Sequence, residues 1–148
     1  MKRAACVLAV LIAVTSVSAQ QIQFITDLSG KKVVTFGDAV TIFMYTLGRA
    51  PAGFDADVAV LKEMKLLKLD KYDRNAPLRR GMIALMAARQ LRLKGSLFYL
   101  MFDTQRYAHR ACVAEEIMDA STSELDTLTG DVLLEVIAAV SERMEAKQ

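Results

Sequence analysis

The chain has 148 residues, of which 53% are hydrophobic and 24% charged, with 19 basic against 17 acidic side chains. That is enough apolar material for one domain with a packed core, and a formal charge of +2 is too small to drive general binding to nucleic acid or an anionic membrane. Two cysteines, Cys6 and Cys112, exclude a fold built on a disulfide framework.

The N-terminus has the marks of a secretory signal. Met1-Lys2-Arg3 is basic, and Ala4 to Val17 is a run of fourteen uncharged residues. Val17-Ser18-Ala19 then supplies the small residues that a signal peptidase needs. Fourteen residues fall short of the roughly 20 that span a bilayer, so the segment is read as a signal and not as an anchor. Residues 1–19 are thus expected to be removed, leaving 20–148 as one exported domain in the periplasm or cell envelope, without a transmembrane helix. The shortened chain has 129 residues and 17 basic against 17 acidic side chains, a net charge of zero, and keeps only Cys112.

In chain order, residues 21–36 (QIQFITDLSGKKVVTF) alternate apolar and polar side chains around Ser29-Gly30, which predicts a short β pair. From Gly37 onward the period is helical. Counting 3, 6, 7 and 10 residues from Gly37 gives Val40, Phe43, Met44 and Leu47. The same offsets from Gly81 give Ala84, Ala87, Ala88 and Leu91, and from Gly130 they give Leu133, Val136, Ile137 and Val140. All twelve are apolar, so three helices start alike and bury the same face. Residues 55–67 and 103–118 form two further amphipathic segments, each followed by a polar loop and then by one of these starts. Leu97 to Phe102 (LFYLMF) is apolar all round and is expected to be deeply buried. The fold class that follows is all-α, a repeat domain of about six helices whose glycines lie 44 and then 49 residues apart.

Helix, polar loop and glycine-marked helix start, as in FDADVAVLKEMKLLKLDKYDRNAPLRRGMIALMAARQL (residues 54–91), resembles the S-layer homology (SLH) repeat. Residues 31–48 resemble the closing half of a preceding repeat and 107–143 a following one. The family's four-residue motif falls on Thr35-Phe36-Gly37-Asp38, Arg79-Arg80-Gly81-Met82 and Leu128-Thr129-Gly130-Asp131. Its threonine is kept at Thr35, its arginine at Arg80 and its acidic residue at Asp38 and Asp131, while its usual tryptophan has no counterpart here. The resemblance implies a three-pronged helical domain that holds a protein to the cell surface by binding an anionic wall glycan.

The residues themselves give the motif a structural reason. Thr35 is placed to cap a helix, with Asp38 returning the bond to the cap's own amide. The binding candidates are Arg79 and Arg80, two guanidinium groups at a helix N-terminus, where free amides also favour an anion. Phe36 and Thr129 stand at the place of Arg80 in the other two starts, so the expected site is single. The basic cluster Arg89, Arg92 and Lys94 lies near a helix C-terminus and suits its dipole; it lacks the apolar face that a membrane-surface helix needs.

His109 and Cys112 lie on neighbouring turns of one predicted helix, with Glu116 four residues beyond Cys112. That is the spacing of a thiol nucleophile with its base, or of a small metal cluster, but Cys112 neighbours an alanine stripe and reads as a small buried hydrophobe. No catalytic residue, metal or cofactor is therefore assigned. The function expected is a non-enzymatic envelope module whose partner is a cell-wall polymer or an envelope protein, and not nucleic acid. The alternatives are a structural accessory subunit of a periplasmic assembly without a glycan site and, third, a small exported thiol enzyme.

Overall fold

The computed structural model of the chain describes residues 19–69, 71–94 and 97–146; the expected signal peptide, apart from its last residue, lies outside them. Residues 19–29 form helix α1. It is followed by α2 (Phe36–Thr46), α3 (Phe54–Glu63), α4 (Arg80–Leu91), α5 (Leu97–Phe102), α6 (Gln105–Ala114) and α7 (Gly130–Glu145). The fold is all-α, and among the described residues the extended pairing is limited to single antiparallel bridges, Thr35 with Pro77 and Arg79 with Thr127.

The expected β pair over 21–36 is not formed, because its first half is helix. Phe24, Ile25 and Leu28 fall on one helical face; Leu28 is buried, and the Phe24 ring lies 5.9 Å from that of Tyr45. Gln23 donates to Asp27 at 2.8 Å and Thr26 to the Ile22 carbonyl at 2.9 Å, both four residues apart as a helix requires. Ser29-Gly30 ends this helix instead of turning a hairpin.

The three repeated starts are N-terminal turns of α2, α4 and α7, with Thr35, Arg79 and Thr129 as N-caps. The residues just before the caps, Val34, Leu78 and Leu128, are all buried and meet at the centre. The Leu78 amide donates to the Val34 carbonyl at 2.8 Å, and the Val34 amide to that of Leu128 at 3.0 Å. First-turn amides, which have no partner within their own helix, are taken by the neighbouring unit. Phe36 and Gly37 donate to Ala76 and Arg74, Arg80 and Gly81 to Asp126 and Glu124, and Gly130 to Lys31, all at 2.8–2.9 Å. Each start is thus capped by the segment leading into another, and the order closes into a ring.

This ring answers why the start is written three times, and why with glycine. A Cβ on Gly130 would stand 1.6 Å from the Leu28 carbonyl oxygen, and one on Gly81 would stand 2.8 Å from Cβ of Gln105. At Gly130 it is the backbone of α1, and at Gly81 the side chains of Gln105 and Glu124, that leave no room for a methyl group. Below the ring, the predicted stripes form the core: of their twelve residues only Leu47 is left half-buried.

One apolar segment departs from expectation. In α5, Tyr99 is buried, but Leu100, Met101 and Phe102 are 54%, 73% and 53% exposed. This helix of six residues packs on α6, and among the described residues these three side chains stay largely open to solvent.

Candidate functional site

At the first start the predicted capping box is present. The Asp38 amide donates to Thr35 Oγ1 at 3.3 Å, and the Thr35 amide to Asp38 Oδ2 at 2.8 Å. Lys31 Nζ lies 2.6 Å from the other carboxylate oxygen. Burial pushes the Asp38 carboxyl up, but the bonds from Lys31 and Thr35 more than offset it and hold the group below its ordinary range. Lys31 is thus engaged by Asp38, and another cation at this start is the exposed Arg74, whose side chain packs over Gly37.

At the third start Thr129 is the cap, its hydroxyl accepting from the Val132 amide at 3.4 Å. Gly130 is therefore the first helical residue of α7, whereas Gly37 and Gly81 are the second residues of theirs. Aligning the starts on their glycines misplaces the third by one position. The counterparts of Arg80 are Phe36 and Gly130, and Thr129 corresponds to Arg79.

The second start carries both candidate arginines, and they have different surroundings. Arg79, the N-cap of α4, is exposed, and its side chain makes no capping bond. It lines a groove of about 160 Å³ together with Phe36, Tyr72, Asp73, Met82 and Gln105. The aromatic wall of this groove is rigid. Tyr72 stacks on Phe36 at 4.8 Å and 11°, and its hydroxyl accepts the amides of Lys68 and Leu69 at 3.0 and 2.9 Å. Phe54 closes edge-on against Phe36 at 6.0 Å.

Arg80 is half-buried, and its Nε is buried with no hydrogen-bond partner. It lies close enough to His109 and Asp119 to affect the charge of both. His109 is buried, with Nε2 3.2 Å from Thr122 Oγ1. Desolvation lowers the histidine pKa, Arg80 adds to this, and Glu124 and Asp126 oppose it, so the ring is neutral at physiological pH.

The expected contribution of free helix amides is absent. The amides of Arg80 and Gly81 already donate to Asp126 and Glu124, and those of Met82 and Ile83 to the Arg79 carbonyl. An anion at this start would meet guanidinium groups and not the backbone. Tyr72, Met82 and Gln105 were missed by sequence reasoning, because they come from a loop and two helices without a shared spacing. The aromatic residue seven positions before Arg79 was the only local signal.

Cys112 is fully buried and its Sγ donates to the Ala84 carbonyl at 3.5 Å. Burial pushes the thiol up to about 12, so it is neutral, and His109 Nε2 is paired with Thr122 Oγ1. Among the described residues no hydrogen bond joins this histidine to the thiol. Among the described residues no three His, Cys, Asp or Glu side chains come together as metal ligands.

The basic cluster near the end of α4 also divides. Arg89 turns inward, donating to Asp103 through Nε and Nη2 and to the Leu66 carbonyl at 2.7 Å. Arg92 ends the helix in the left-handed region at φ 49°, and it and Lys94 are exposed.

No protein-family model, curated protein or solved structure matches the chain.

Proposed function

We propose that the protein is a non-enzymatic, SLH-like envelope module that binds an anionic partner, a wall polymer or an envelope protein, in the groove beside Arg79. The observation that carries this reading is the groove itself: one exposed guanidinium next to a pre-ordered aromatic wall, at the junction of the first two helix starts. Such a wall offers apolar area with little ordering cost on binding, and the guanidinium offers charge-assisted bonds to carboxylate or phosphate. The other two starts have Thr35 and Thr129 as N-caps where Arg79 stands, which supports Arg79 as the cap-position cation of this reading. Export to the periplasm or cell envelope is the compartment that the N-terminal segment favours.

The accessory-subunit reading keeps one observation in its favour. The first-turn amides of α4 are spent within the fold, so the second start is built for internal closure as well as for a ligand. The two readings separate in a pull-down of the exported protein with purified wall sacculi against envelope extract. Arg79→Gln is expected to lower retention on the binding fraction by about 10-fold or more, one charge-assisted bond, without changing the circular dichroism spectrum. Arg80→Gln is expected to lower it less. Retention on sacculi that is unchanged in both variants would remove the groove from the reading, and retention only from envelope extract would favour the accessory subunit.

A further inference from the structure

The zero net charge expected for residues 20–148 conceals a strong segregation. Residues 62–110 hold 12 basic against 4 acidic side chains, a formal +8, while the rest of 20–148 holds 5 against 13, a formal −8. The basic section also carries the exposed apolar surface. Of the eight large hydrophobic residues that stand exposed among the described residues, five belong to it: Met64, Leu69, Leu100, Met101 and Phe102.

Three of these are consecutive at the end of α5, and the fold brings a fourth, Leu69, near Asp103, the residue that follows them. Lys68 pairs with Asp103, the residue after α5, so Leu69 next to Lys68 shares the rim of one groove with Asp103. The platform is firm: Arg89 fixes Asp103 from within, and the Phe102 ring stacks on Tyr107 at 5.5 Å. Exposed cations bracket the apolar residues along the chain, with Lys65 and Lys68 before Leu69, Arg92 and Lys94 before α5, and Arg106 after it.

We infer that this α5 tip is a docking surface for an anionic phospholipid membrane. Apolar side chains at a helix end enter the boundary between headgroups and acyl chains, and lysine and arginine around them meet the lipid phosphates. The exposed pair Arg92 and Lys94 lacks an apolar face within its own helix, and α5, the next element, carries one. The groove at Leu69 shares Tyr72, Met82 and Gln105 with the groove at Arg79, so the two surfaces adjoin, but the proposal does not depend on the function proposed for the latter.

The chain has no tryptophan, so Met101→Trp in the full chain introduces a single local reporter. With vesicles of equal phosphatidylglycerol and phosphatidylcholine, its emission is expected to shift to the blue, and with phosphatidylcholine alone to stay unshifted. About 0.5 M salt is expected to reverse the shift. Adding Lys94→Glu and Arg106→Glu is expected to weaken partitioning by about 10-fold. An unshifted emission on anionic vesicles overturns the proposal, even if the protein sediments with them through its N-terminal segment. A blue shift that grows with protein concentration in the absence of lipid also overturns it, since the occupant would then be a second copy.

Discussion

Arg89 holds Asp103 through two bonds, Nε and Nη2 each donating to the carboxylate at 3.1 Å. The Arg89 side chain is only 11% exposed, and its third nitrogen donates to the Leu66 carbonyl. Asp103 itself lies at φ 44°, a left-handed conformation that a non-glycine residue adopts at a cost of about 1 kcal/mol. Three segments far apart in the chain are thereby joined: the loop after α3, the end of α4 and the α5–α6 junction.

Asp103→Asn is expected to destabilise the fold by about 2 kcal/mol, because it leaves a largely buried guanidinium without its counter-charge. Burial pushes the Asp103 carboxyl up, but Arg89 and Lys68 more than offset this and leave it below its ordinary value. A folded value below the unfolded one means that the contribution is complete above about pH 4 and is lost as pH falls further. Denaturant midpoints of wild type and variant should therefore converge in acid. Parallel curves down to the acid limit would mean that the carboxylate charge does not stabilise the fold.

Gly130→Ala is expected to cost about 3 kcal/mol or more, since the new methyl group collides with the Leu28 carbonyl and must push α1 away from α7. Gly30→Ala is the control, as its Cβ would lie 3.9 Å from the nearest atom, the Asp27 carbonyl oxygen. Equal melting temperatures for the two variants would show that the ring of helix starts is looser than described.

Val136→Ala and Ile137→Ala are each expected to cost about 1–4 kcal/mol, because both side chains are buried in the α7 stripe. Glu142→Ala, on the exposed side of the same helix, should be nearly silent. Comparable thermal shifts at all three sites would contradict the assigned face.

Iodoacetamide should leave Cys112 unmodified in the native protein and modify it fully in denaturant. A thiol raised to about 12 and enclosed by α4 and α6 reacts only when the structure opens. Rapid alkylation of the native chain at neutral pH would revive the thiol-enzyme alternative.

Several features were settled by local order in the chain. The stripes counted from Gly37, Gly81 and Gly130 are core because a helix repeats its faces every few residues, a relation contained within a dozen positions. The Thr35–Asp38 capping box is likewise a contact between near neighbours. Residues 21–29 were harder to read, since a short run of interleaved glutamine, threonine and aliphatic residues satisfies two periods until tertiary contacts choose one. Phe24 against Tyr45 and Leu28 under Gly130 chose the helix.

Only the tertiary structure could decide what the helix starts offer to a ligand. The amides of Arg80 and Gly81 are occupied by carbonyls more than 40 residues away in the chain, and Arg79 and Arg80, adjacent in sequence, face different neighbours. The exposure of Leu100, Met101 and Phe102 has the same origin, because an apolar run specifies that burial is favourable but not that a partner surface is present. Periodicity along a chain encodes which face a helix buries; what stands opposite that face is set by segments that meet only when the whole chain has packed.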